Sequence, residues 1–170
     1  MRWPGFRDDG SLALPLDIHV FLPAAMPLRL RSDGRVLERK HEVHMTLLGR
    51  QAGARLRGAL GDERVRTLFS GYDWHPRGTR RYALLHKSKD EWNGPLEAWS
   101  VIEHLQEPAF AAFREELART SGVALDSGVP HATLYVAGDP YGIGLADVKS
   151  YLECFVREVG TAEVGPPDIM

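Results

Sequence analysis

Apolar and polar positions alternate along this chain with two different periods, and the places where the period changes outline its elements. Residues 11–23, SLALPLDIHVFLP, are mostly apolar and end at Pro23, which predicts a buried strand. Residues 26–49, MPLRLRSDGRVLERKHEVHMTLLG, alternate around Ser32-Asp33-Gly34 and predict two strands joined by a turn. RQAGARLRGAL and DERVRTLFSG place Leu56, Leu60, Val65 and Leu68 as the apolar positions of one helix or two short ones. Residues 72–87 read as a hairpin turning at Pro76-Arg77-Gly78, and KSKDEWNGP, 87–95, as a loop. The segment 96–106 supports two readings. Leu96, Trp99, Ile102 and Leu105 follow a helical spacing, while Trp99-Ser100-Val101-Ile102 suits a strand. Residues 107–122 predict an amphipathic helix, with Pro108 in its first turn and Gly122 at its end. VPHATLYVAG, 129–138, predicts a strand, GDPYGIG a tight loop, and 145–159 a second helix with Leu145, Val148, Leu152 and Phe155 apolar. Residues 1–160 are expected to form a single domain, and 161–170 a flexible tail.

Composition adds limits. The chain has 170 residues, 44% hydrophobic and 26% charged, which suits one soluble domain with a substantial core. No apolar run approaches a membrane span. The N-terminal stretch carries Asp8 and Asp9 where a signal peptide needs positive charge, so a cytoplasmic location and no membrane partner are expected. The single cysteine, Cys154, excludes an internal disulfide and a cysteine-built zinc site, and its apolar neighbours predict a buried thiol. The net charge of −2 conceals an asymmetry. Residues 1–89 hold 17 Lys and Arg against 9 Asp and Glu, and residues 90–170 hold 4 against 14. Mutual attraction of the two halves within one fold comes ahead of a basic, phosphate-seeking face as the reading.

Within this frame one short pattern occurs twice. His44-Met45-Thr46-Leu47 and His131-Ala132-Thr133-Leu134 are both His-x-Thr-Leu, in a chain with six threonines. In a strand, residues two apart share a face. His44 therefore lies beside Thr46, and His131 beside Thr133, while Met45, Leu47, Ala132 and Leu134 turn to a core. Two such strands side by side would offer two imidazoles and two hydroxyls to one groove. That set suits cleavage of a cyclic phosphodiester. One histidine takes a proton from the attacking water or hydroxyl, the other protonates the departing ribose oxygen, and the hydroxyls donate to the non-bridging oxygens. This chemistry calls for no metal and no cofactor.

The paired motifs, HMTL and HATL, resemble those of the two-histidine (2H) phosphoesterase superfamily. The resemblance implies an α+β, bilobed fold in which two antiparallel sheets line a central cleft with helices outside. It implies His44, Thr46, His131 and Thr133 as the catalytic set and favours a strand over 98–105. It also implies activity on 2′,3′-cyclic phosphates, ADP-ribose cyclic phosphate or 2′,5′-linked RNA, a nucleotide or RNA partner, and, by analogy with cyclic phosphodiesterases, His131 as base and His44 as acid. The chain is expected to act as a monomer. A nucleotide- or RNA-binding module with the same cleft and little turnover is the first rival, and a histidine metal site the second.

Other residues carry two readings each. Tyr135 has the parity of His131 and could stack on a base, or be a strand tyrosine at the sheet edge. Arg50 could reach phosphate if its strand continues past Gly49, or begin a helix in solvent. Tyr141 and Trp92, in loops, are stacking platforms or packing residues. Arg77, Arg80, Arg81, Lys87 and Lys89 could follow an RNA backbone or form ordinary basic surface. His41 differs from His44 by an odd number, so the two face apart and do not share a metal. His19, His75, His86 and His104 are assigned structural or surface roles.

Overall fold

Residues 1–165 are described in a computed structural model of the chain. The described residues form a mixed α+β structure of eight strands and six helices. In chain order these are β1 (Leu12–Leu16), α1 (Ile18–Phe21), β2 (Arg29–Ser32), β3 (Arg35–Arg39), β4 (Val43–Leu48), α2 (Arg50–Leu60), α3 (Asp62–Ser70), β5 (Arg77–Glu91) and β6 (Gly94–Gln106). Then come α4 (Pro108–Ser121), β7 (His131–Ala137), α5 (Val148–Cys154), β8 (Phe155–Val159) and α6 (Thr161–Val164). Among these residues no helix is long and apolar enough to cross a membrane.

The strands make one antiparallel sheet in the order β1-β4-β7-β6-β5-β8. The two sheets expected from the resemblance are therefore a single continuous one. β7 is its hub. One edge of β7 pairs with β6 along most of its length. The other edge is divided between β4, opposite Ala132, and β3, opposite Tyr135 and Val136. The β4–β7 ladder is one pair long, Met45 opposite Ala132, so the sheet is narrowest where the two motif strands meet.

Two cores cover opposite faces. The main core joins Leu14, Met45, Leu47, Val101, Ala132 and Leu134 of the sheet to Leu56 of α2, Val65 and Phe69 of α3, and Phe113 and Leu117 of α4. Phe69 stacks on Trp74 with centroids 5.0 Å apart, and Phe113 meets Trp74 edge-on at 5.4 Å. On the other face Ala83, Leu85, Ala98 and Ile102 are covered by Ile143 and Cys154, with Leu145 and Tyr151 at the margin. Cys154 is buried, as its neighbours predict. Gly138, at φ +81°, closes the end of β7, and a Cβ there would stand 2.0 Å from the Glu97 carbonyl oxygen, so backbone meets backbone. Lys89–Asp139 and Arg81–Glu158, at 3.5 Å in the second case, join the basic first half to the acidic second half, while Arg157–Asp33, at 3.1 Å, links the halves in the opposite sense.

Several local expectations need correction. The run 11–23 is a strand only to Leu16; Asp17 then accepts the His19 N–H and caps α1. Residues 26–49 hold three strands, because Lys40–Glu42 interrupt the alternation before β4. The hairpin turn is at Trp92-Asn93, and 87–91 belong to β5, which pairs with β6 out to Glu91 opposite Gly94. The alternative strand reading of 96–106 holds. The helix expected through 159 stops at Cys154, and Phe155–Val159 pairs with the edge of β5, a partner that helical spacing cannot reveal. Thr161–Val164, placed in the flexible tail, is α6 with Val164 buried. The rest of that expected tail, 166–170, lies outside the described residues.

Candidate active site

Alternation in β4 and β7 sets up the site. Val43, Met45 and Leu47 are buried, while His44 and Thr46 are half-buried on the other face. In β7, Ala132 and Leu134 are buried in the main core and Thr133 is half-buried. With Met45 opposite Ala132 in antiparallel register, His44 falls beside Thr133 and Thr46 beside His131. All four motif side chains thus share the face opposite the main core. Arg114, buried in α4, donates from Nη1 to the Leu47 carbonyl at 2.7 Å and anchors β4 from behind.

His131 is 8% exposed. Its Nδ1 lies 2.7 Å from the Val129 carbonyl oxygen, an atom that can only accept, so Nδ1 carries the proton and Nε2 keeps a free lone pair. Burial pushes this imidazole below its ordinary pKa; the Val129 carbonyl opposes the shift and His104 adds to it. His44, 23% exposed, is held down at about 4, first by burial, then by Arg7, with Lys40 and His131 adding to the effect. Glu42 works the other way, its Oε1 4.0 Å from His44 Nδ1. That Nδ1 is buried and has no hydrogen-bond partner among the described residues. A modest turn of Glu42 would bring a carboxylate to it, which suits a ring that is protonated during turnover.

No protein group among the described residues holds the hydroxyl of Thr46 or Thr133, so both are free to donate. The loop 138–144 rests on this face: a Cβ on Gly142 would be 3.2 Å from the Thr133 methyl, and the Ile143 N–H donates to the Ser100 hydroxyl.

Three groups near the motif pair were not singled out from the sequence for this role. His104 of β6 is the register partner of His131, and its Nε2 lies 3.1 Å from the Tyr151 hydroxyl. Parity would have put His104 on a face with Ile102, but nothing local says that β6 adjoins β7. Arg7 bears on His44 from an irregular segment tied to β1 by the Phe6–Leu12 bridge. Lys40 donates to the Pro140 carbonyl at 2.9 Å and so joins the entry to β4 to the loop over Thr133.

The secondary candidates fare differently. Tyr135 does not reach the site. Between Val101–Tyr135 and Ile102–Thr133 the ladder skips Leu134, and this bulge reverses the facing of the residues beyond it. Tyr135 is fully buried in the main core and its hydroxyl donates to the Pro27 carbonyl at 2.9 Å. Tyr135→Phe is expected to lower stability by about 1 kcal/mol in urea unfolding and to leave ligand binding unchanged. Altered binding would return Tyr135 to the site. Arg50 is not on the motif strand, which ends at Leu48; it is exposed at the first position of α2, after the Gly49 cap. Tyr141, 88% exposed, stands on the loop that covers Thr133, and Trp92 is exposed at the β5–β6 hairpin tip. Lys89 ties that hairpin to the loop through Asp139 and the Gly142 carbonyl. His41 is exposed ahead of β4. Among the described residues no three His, Cys, Asp or Glu side chains are grouped to hold a metal.

Models of known protein families, curated proteins and solved structures give no match to this chain.

Proposed function

We propose that the protein is a bilobed, 2H-type phosphoesterase that opens a cyclic phosphodiester, such as the 2′,3′-cyclic phosphate of a nucleotide or RNA end. The observation that carries this reading is the Met45–Ala132 pair, which sets two His-x-Thr strands edge to edge with their polar side chains on one face. His131 Nε2 takes a proton from water as its oxygen bonds to phosphorus, and His44 gives a proton to the ribose oxygen as the phosphorus–oxygen bond breaks. Thr46 and Thr133 donate to the non-bridging oxygens, and Arg7 and Lys40 favour the anion electrostatically. The product is a phosphomonoester, and the histidines exchange their protonation states through solvent.

Phosphorus NMR of 2′,3′-cyclic nucleotides, cyclic-phosphate-ended RNA and 2′,5′-linked oligonucleotides is the direct test. One substrate resonance is expected to give way to one monoester resonance. If all three substrates persist at every pH from about 4 to 8, the enzyme reading is wrong. Thr46→Ala and Thr133→Ala are each expected to weaken substrate binding about tenfold with a smaller loss of turnover. Unchanged kinetics in both would remove the hydroxyls from the mechanism. One observation favours a binding module instead: both imidazoles are pushed below their ordinary pKa. Saturable binding of a cyclic nucleotide without conversion would select that reading.

A further inference from the structure

A cavity of about 350 Å³ lies on the face of β5 and β6 that carries the main core, away from the motif residues. Its wall is mixed: Phe21 and Met26, from α1 and the loop after it, and Val164 of α6 form an apolar side, and Arg80, Tyr82, Glu103 and Thr161 bring polar groups. One charged side chain is buried in it. Glu103 is 5% exposed, and its Oε1 accepts the Arg80 N–H at 2.9 Å. Its Oε2 has no donor among the described residues, and no Lys or Arg side chain among them makes an ion pair with it. Burial pushes this carboxyl above its ordinary pKa; the Arg80 N–H and the Arg80 charge, which lies at the same cavity but makes no ion pair, oppose that shift, and Oε2 is the oxygen left without a donor.

The local backbone is shaped around that carboxylate. Between Gly78–Leu105 and Tyr82–Glu103 the β5–β6 ladder is interrupted, with Thr79, Arg80 and Arg81 facing His104 alone. Arg80 takes φ +57°, a left-handed conformation unusual for arginine, and this aims its N–H at Oε1. Gly78 leaves room for the carboxylate, since a Cβ there would stand 2.4 Å from Oε1. Tyr82, the register partner of Glu103, also lines the cavity; burial, then Glu103, pushes its phenol up to about 12, so it stays neutral.

We propose that this cavity binds a small organic ammonium ion, with the ammonium on Glu103 and an apolar body against Phe21, Met26 and Val164. An ammonium supplies the donor that Oε2 lacks and a positive charge in direct contact, which Arg80 does not make, while Phe21, Met26 and Val164 suit a hydrocarbon body. A metal ion would find one carboxylate and no further anionic side chain in the lining. This proposal does not depend on the phosphoesterase reading.

The test is ligand-observed and protein-observed NMR on the full chain, with phenethylammonium, 2-phenylethanol and 3-phenylpropionate as probes of similar size. Phenethylammonium is expected to bind saturably, the alcohol at least tenfold more weakly, and the carboxylate not at all. Glu103→Gln should weaken the ammonium at least tenfold. Val20→Trp, at the exposed rim of the cavity, should block both the ammonium and the alcohol, and it decides the matter if Glu103→Gln does not fold. Equal binding of ammonium and alcohol, ammonium binding unchanged in the folded variants, or no saturable binding at millimolar probe would each overturn the proposal.

Discussion

Replacing His131 by Asn is expected to lower kcat/KM for a cyclic phosphodiester by about a thousandfold, roughly 4 kcal/mol of transition-state stabilisation, while the fold is retained. The choice of Asn isolates one atom. Its side-chain amide N–H can replace the Nδ1–H bond to the Val129 carbonyl, but nothing replaces Nε2. His131→Ala should be equally inactive and less stable, because it also leaves that carbonyl unpaired and a void beside His104, its register partner. His44→Ala should cost a similar factor. The double variant should be little worse than either single one, since the two imidazoles serve one step as a pair. Near-normal kcat/KM in folded His131→Asn and His44→Ala would end the acid–base assignment.

The second large effect is on pH dependence. In the free protein, His44 protonates at about 4 and His131 also sits below its ordinary value of 6.5. Roughly one His44 in a thousand then carries a proton at pH 7. The competent form needs one ring charged and the other neutral. The kcat/KM profile, which reports the free enzyme, should therefore peak below pH 6.5 and fall as pH rises, because the acid is lost. Its acid side falls because the base becomes protonated. The two apparent pKa values belong to the pair, so exchanging the roles of His44 and His131 leaves this profile unchanged. A bound phosphate anion favours both imidazolium forms, so the kcat profile should peak at higher pH than kcat/KM. A kcat/KM that climbs steadily through pH 8 would show that neither burial nor Arg7 governs these rings as described. Glu42→Gln removes the one carboxylate that raises His44 and should move the limb of the profile that reports His44 further toward acid.

How far the sequence could be read depended on how local each decision was. α4 was legible to its ends because Pro108 and Gly122 mark them, and Gly122 takes the expected left-handed conformation, φ +73°. The faces of His44, Thr46 and Thr133 were legible because alternation in a strand needs no partner. Tyr135, two residues beyond Thr133, was misplaced because the same rule fails across a bulge, and the bulge at Leu134 arises from fitting β7 against both β6 and its neighbours on the other edge. The end of α5 was misread for a similar reason: residues 155–159 become a strand only because β5 has an edge to fill.

The sequence by itself determined the chemistry available: two His-x-Thr-Leu units, their inward apolar partners and the strands that carry them. Only the tertiary structure decided that these strands meet at Met45 and Ala132, that His104 stands opposite His131, and that Glu103 faces a cavity on the other side of the same strand. The division has a physical cause. Side-chain parity and helix caps are set within a few bonds of each residue, whereas sheet order, bulges and burial are set by groups far away along the chain, which the local pattern does not encode.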